Sequence, residues 1–223
     1  MSSVDHILKH VLGLLDSKES GKPLFIALQG PQGSGKSYLT ELTHKLLSNP
    51  PHSLRVVTLS IDDLYLPHEG LVKLSADHPD NPLWRGRGQP GTHDIPLGLD
   101  ILKALKECDT SEVEIPQFEK SLFNGDGDRL PMSGNSVRTP VDVVIMEGWC
   151  TGFYPISSTE LDKRWDGVWM EQKSALGLSD AIIGSKKNLE DVNQALQQYL
   201  ELWSYFDAFV QVTRFSYRKS TFF

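Results

Sequence analysis

The octet Gly30-Pro31-Gln32-Gly33-Ser34-Gly35-Lys36-Ser37 constrains this chain more than any other feature. It matches the spacing G-x-x-x-x-G-K-S in full, with an apolar run over 24–28 before it and a helical pattern over 37–47 behind it. In that setting glycines let the backbone curl so that several N–H groups face one anion, and the following helix adds its positive end. Lys36 then neutralises charge at the β- and γ-phosphates, and the Ser37 hydroxyl is the expected Mg²⁺ ligand. Residues Gly30 to Tyr38 are therefore expected to bind ATP with Mg²⁺. A strand–turn–helix joint that merely tolerates glycine is the plainer reading, and the complete pattern in this context argues against it.

The remaining punctuation fits an α/β fold. Apolar stripes predict helices over 4–15, 37–47, 95–105 and 189–206, the third capped by Asp94 and the last by Asn188. Short apolar runs predict strands over 24–28, 55–61, 141–146 and 208–212. Strands this apolar, alternating with helices, imply a mostly parallel sheet covered by helices on both faces, in one domain. Residues 66–135 break the alternation. They are rich in Gly and Pro and too long for a simple connection, so they read as a substrate-binding insertion.

Ligands of open α/β sheets bind beyond the carboxyl ends of the strands. Asp62 and Asp63 end the second predicted strand and Glu147 ends a later one. A phosphoryl-transfer enzyme needs a carboxylate at the acceptor hydroxyl and another on the metal side. Asp62 is assigned as the base and Glu147, with Ser37, as the Mg²⁺ group; Asp62, Lys36 and Glu147 form the catalytic set. Each carboxylate alone would read as a solvated strand end; the phosphate loop reverses that for Asp62 and Glu147, and Asp63 is left open, with capping or pairing to a basic neighbour as its alternative. In the insertion, Arg87, Lys120 and Arg129 are candidates to grip an acceptor anion, with His93 and Asp63 as neighbours that orient it. Their plainer reading is surface loop charge, and Asp94 reads more simply as a helix cap than as a catalyst.

Totals exclude several classes. The 223 residues carry 29 acidic and 22 basic side chains, and a net charge of −7 disfavours nucleic acid as a partner. Only Cys108 and Cys150 occur, without metal-site spacing, which argues against zinc or a disulfide framework. No apolar run approaches the roughly 20 residues of a membrane span, and no secretory signal opens the chain. The expected compartment is the cytosol, with the nucleus also open to it; the expected partner is a small molecule, and oligomeric state is left open. A GTP-dependent switch would need Asn-Lys-x-Asp and Asp-x-x-Gly patterns, and neither occurs.

Four segments resemble the D-glycerate 3-kinase family: Ser60-Ile61-Asp62-Asp63-Leu64-Tyr65-Leu66, the Gly-Arg-Gly-x-Pro-Gly-Thr-His-Asp run at 86–94, Lys120-Ser121 with Gly127-Asp128-Arg129, and Val144-Ile145-Met146-Glu147-Gly148-Trp149. The resemblance covers about 22–212. It places the chain in a wider group of P-loop kinases with uridine kinase, phosphoribulokinase and pantothenate kinase. It implies ATP, Mg²⁺, transfer of the γ-phosphoryl to a small hydroxy acid such as D-glycerate, and Asp62 in the base position. A nucleoside- or pantothenate-like acceptor, or an ATP-binding protein without turnover, are the alternatives. Family members continue through a further helical region, so 213–223 is expected to be an atypical, shortened C-terminus.

Overall fold

A computed structural model of the protein describes residues 2–19, 21–107, 112–131 and 135–213. Four strands build the main sheet: β1 (Leu24–Gln29), β2 (Val56–Ser60), β7 (Val143–Gly148) and β8 (Ala208–Gln211). Their order is β2-β7-β1-β8, and every pairing is parallel. Two small antiparallel pairs stand apart in and beside the insertion: β3 (Glu112–Glu114) with β6 (Ser136–Arg138), and β4 (Phe118–Glu119) with β5 (Asp128–Arg129).

Both faces of β1 and β7 are buried, and the two-residue period divides their side chains. Leu24, Ile26 and Leu28 of β1 join Val143 and Ile145 of β7 on one face. There they pack on α1 (Ser3–Ser17) through Ile7 and Val11, and on α2 (Lys36–Ser48) through Leu47. Phe25, Val144 and Met146 point the other way, onto α4 (Ile95–Glu107) and the C-terminal helical run. The expected two-sided, parallel sheet is therefore the fold.

The insertion holds α3 (His68–Asp77), α4, the β4–β5 pair and strand β3, whose partner β6 follows directly after it. Helix α3 went unforeseen because it buries only Leu71 and so writes almost no stripe. Asp94 caps α4 as expected, its Oδ1 accepting the Leu97 N–H at 3.1 Å. Two sequence expectations are corrected toward the C-terminus. Ser185, not Asn188, caps α8 (Lys186–Ala195); Asn188 is the third residue of the capping box and returns a bond to the Ser185 N–H. The long helix expected over 189–206 is divided, passing through a 3₁₀ turn at Leu196–Tyr199 before α9 (Leu200–Trp203). Between β7 and α8 lie the short helices α5 (Ser158–Arg164), α6 (Met170–Ala175) and α7 (Asp180–Ile183). The basic-aromatic tail lies outside the described residues beyond 213.

Gly148, at the end of β7, has no room for a side chain. A Cβ there would meet Ile61 Cγ2 at 2.4 Å and Thr151 Oγ1 at 2.5 Å. Gly13, exposed within α1, has nothing within 4 Å of that position. Gly148→Ala is expected to destabilise by about 2 kcal/mol through overpacking, whereas Gly13→Ala should stabilise by about 0.5–1 kcal/mol by restricting the unfolded chain. Urea denaturation of both variants checks the contrast; equal and small shifts would contradict the packing at the end of β7.

Candidate active site

The loop between β1 and α2 turns sharply. Gly35 takes φ 85°, in the left-handed region open to glycine, and forms the N-cap of α2 without any side-chain capping bond. The first-turn N–H groups of α2 are thus left for an external acceptor. Gly30 is fixed by crowding, since a Cβ would lie 2.6 Å from Ser34 Oγ and 3.1 Å from Val212 Cβ. That contact and the bond from the Val212 N–H to the Gln29 carbonyl at 2.7 Å brace the loop against the end of β8. Lys36 is buried at the start of α2, while Ser37 and Tyr38 are exposed.

Register then brings the acidic groups to this loop. Glu147 of β7 pairs with Leu28 of β1 on one side and with Ser60 of β2 on the other. Its Oε1 accepts a hydrogen bond from the Ser37 hydroxyl at 3.1 Å, and its Oε2 is buried with no protein partner. Burial pushes the Glu147 carboxyl above the ordinary range, while Lys36 and the Ser37 and Ser60 hydroxyls pull it back. A buried acid with one unused oxygen beside an exposed serine hydroxyl is a donor set that suits Mg²⁺, which prefers one or two carboxylates plus phosphate oxygens and water. Among the described residues, no group of three or more His, Cys, Asp or Glu side chains could hold a metal unaided.

Asp62 follows β2 in a 3₁₀ turn, Ile61–Leu64, that Ser60 caps by accepting the Asp62 N–H at 3.2 Å. Both carboxylate oxygens are engaged: Oδ1 accepts from the Tyr65 hydroxyl at 3.1 Å, and Oδ2 from Lys120 Nζ at 2.5 Å. Asp63 faces the insertion, accepting the Phe118 N–H at 3.0 Å, and burial holds its carboxyl above the usual value. It ties β4 to the main sheet.

The remaining candidates are spread through the insertion. Arg87 donates through Nη1 to the carbonyls of Gly125, at 2.6 Å, and of Asp126, and stacks its guanidinium 5.6 Å from the Phe118 ring centre. Arg129 donates to Asp94 Oδ2 at 2.8 Å. Lys120 alone of the three cations reaches Asp62. His93 is buried behind that aspartate. Its ring stacks on Tyr65 with centres 4.5 Å apart, and its Nδ1 lies 2.6 Å from the Tyr199 hydroxyl. The Tyr199 oxygen also accepts the Gly91 N–H at 2.9 Å. His93 Nε2 is buried without a protein partner.

Sequence reasoning missed Tyr65 and Tyr199. Tyr65 stood inside a quoted segment with no role, yet its place three residues after Asp62 in a 3₁₀ turn was a usable signal, since that turn aligns i and i+3. Tyr199 carried none, because it sits on the apolar stripe of a helix and reads as core. Cys150, buried next to this group, has its thiol pushed up to about 12 by burial and by the Asp62 charge, which makes it unreactive.

Burial pulls the His93 pKa down from 6.5 to about 4, against the smaller opposing field of Asp62. The unfolded chain binds this proton at higher pH than the native one, so stability is complete above about pH 6.5 and falls as pH drops toward 4. Asp63 and Glu147, shifted upward, act in the opposite sense, so the informative quantity is a difference between variants. Lowering pH from 7 to 5 is expected to cost the wild type about 2 kcal/mol more than His93→Gln. Parallel stability–pH curves for the two proteins would contradict a neutral buried imidazole.

No family model matches the chain. It is 42% identical over 139 residues to the probable ATP-dependent kinase TDA10 of Saccharomyces cerevisiae, covering 60% of this chain and 48% of that one. It is 38% identical over 194 residues to the uncharacterized kinase mug58 of Schizosaccharomyces pombe, covering 78% of this chain and 68% of its relative. The solved structure of D-glycerate 3-kinase from Cryptococcus neoformans superimposes with a TM-score of 0.82 at 38% identity, over 95% of this chain and 73% of that one. The chain thus spans about half the length of the first relative and about two thirds to three quarters of the other two. A phosphate loop joined to Glu147 through Ser37, an aspartate after β2, and these likenesses converge: the chain belongs to the D-glycerate 3-kinase family of P-loop kinases.

Proposed function

We propose that the protein is an ATP-dependent kinase that moves the γ-phosphoryl of ATP onto a hydroxyl of a small hydroxy acid, D-glycerate first among them. The observation that carries this reading is the ion pair between Asp62 Oδ2 and Lys120 Nζ at 2.5 Å, at the strand ends that also hold Glu147 and the phosphate loop. It sets a proton acceptor and a mobile cation side by side, the two groups that a hydroxy acid needs for its hydroxyl and its carboxylate. The similar Cryptococcus neoformans enzyme is named for a substrate of this class.

The loop N–H groups and Lys36 hold the β- and γ-phosphates. Ser37 and Glu147 would hold Mg²⁺, which when bound neutralises charge on those phosphates. The acceptor hydroxyl lies against Asp62. As its oxygen bonds to the γ-phosphorus, the bond from that phosphorus to the bridging oxygen breaks, ADP departs, and the hydroxyl proton passes to Asp62. The acceptor carboxylate draws Lys120 from Asp62, which frees Oδ2 for that proton. A neutral polyol has no anion with which to do so, and this favours acids over neutral alcohols. Residues 66–135 act as the substrate-binding insertion within a single kinase domain. Arg87 and Arg129 hold its loops, and Asp63 and His93 hold its base.

ADP release with Mg-ATP and a panel of acceptors tests the reading, with Lys36→Ala as the blank. Turnover dependent on D-glycerate, at least 100-fold weaker in Lys36→Ala, is the expected result. Stimulation by a nucleoside or pantothenate instead would transfer the mechanism to another acceptor, and ATP binding with no stimulated release would leave a nucleotide-binding protein without turnover. Lys120→Met is expected to raise the KM for D-glycerate about tenfold with the KM for ATP within twofold. Equal changes in both would remove Lys120 from the acceptor site.

A further inference from the structure

Asp62 sits on a tight turn, and its carboxylate has to present one oxygen to the acceptor. The Tyr65 hydroxyl, donated from the same turn, fixes Oδ1 at 3.1 Å and so decides where Oδ2 points. Tyr65 is itself immobilised. It is buried, with His93 stacked 4.5 Å away at 23° on one side and Phe118 edge-on at 5.2 Å on another. The stacked imidazole cannot rotate freely either, because Nδ1 is hydrogen-bonded to the Tyr199 hydroxyl at 2.6 Å, and that oxygen is pinned by the Gly91 N–H at 2.9 Å. Tyr199 is fully buried in the C-terminal helical run. His93 and Phe118 thus bear on Tyr65 directly, and Tyr199 through His93.

We infer that Tyr65 is the positioning residue for Asp62, that Tyr199 holds it through His93, and that Oδ2 is the oxygen that receives the acceptor's proton. The inference rests on the proposed kinase reading for the role of Asp62, but not for the geometry. Chemistry favours this division of the two oxygens. Oδ1 accepts a phenol whose acidity burial and the Asp62 charge both suppress, so Tyr65 stays a hydrogen-bond donor throughout. Oδ2 is bonded to an exposed lysine on the loop after β4, whose long side chain leaves readily. Only the second oxygen can be vacated without dismantling the core. A carboxylate held by one bond and one stack presents its free oxygen in a narrow range of directions, and misplacing a reacting group by about 1 Å can cost on the order of 100-fold in rate.

The test uses Tyr65→Phe, which keeps the ring and both aromatic contacts and removes the hydroxyl alone. Expected is a fall in kcat of about 10- to 100-fold, with both KM values within threefold and thermal stability close to wild type. Tyr199→Phe leaves the Asp62 bond intact and loosens His93, and is expected to show the same split at about three- to tenfold. Crystal structures of wild type and Tyr65→Phe give a readout independent of turnover: Asp62 in one orientation in the first and in several in the second. Wild-type kcat in Tyr65→Phe, or one unchanged Asp62 orientation in both crystals, would overturn the assignment. A wild type that turns over none of the acceptors fails the kinase reading instead, and the crystal comparison then decides the positioning role alone.

Discussion

Six residues of β1 run parallel to six of β7, Leu24 opposite Val143 through Gln29 opposite Gly148, and every one of the twelve is buried. Because side chains alternate across a sheet, a slip of one residue would exchange the two hydrophobic faces and turn Ile26 and Ile145 away from α1 and α2. The same slip would carry Glu147 away from Ser37. Register therefore does two jobs through one set of contacts. The core selects it, and the site inherits a carboxylate beside the phosphate loop. Gly148 enforces the arrangement sterically, since the turn at Ile61 lies against it with no space for a methyl group.

The electrostatics of the site follow from that enforced closeness. Asp62, Asp63 and Glu147 gather at adjacent strand ends, and burial raises the carboxyls of Asp63 and Glu147 toward the neutral form. Cations and donors offset this unevenly. Glu147 has Lys36 and two serine hydroxyls yet keeps a bare oxygen, Asp63 has a backbone N–H, and Asp62 has a lysine and a phenol. The bare oxygen and the removable lysine are the incomplete parts, and they are where an added cation and an added anion would each find their complement. Arg129 pairs with Asp94 elsewhere in the insertion.

Much of the architecture was legible because it is written in periodicity. The two-faced strands, α2 behind the glycine loop and the Asp94 cap all leave local marks at fixed spacing. Asp62, Asp63 and Glu147 were legible as strand-end acids by the same logic. What stayed hidden depends on contacts distant in sequence. The roles of Arg87 and Arg129 could not be read from composition, because whether an arginine grips a ligand or a carbonyl is settled by the loop that folds over it, here residues 125–126 and Asp94. Helix α3 is short and buries a single leucine, and Tyr199 hides among core positions of its own helix. Asn188 was misjudged as a cap because a capping box has two polar residues three apart, and the sequence favours either one until the helix start is known.

The insertion looks peripheral by length, yet its anchors converge on the sheet's reactive end. Asp63 holds the start of β4 through the Phe118 N–H, and Tyr65 pairs its backbone with His93 in an isolated antiparallel bridge. Phe118, Tyr65 and Leu71 then form a small core of their own. Lys120 lies two residues after Phe118, so the anchored ring fixes how far its ammonium group can swing. The short tether lets the lysine reach Asp62 and return, while the rest of the insertion stays packed. On the proposed reading, an acceptor would displace this one side chain from Asp62.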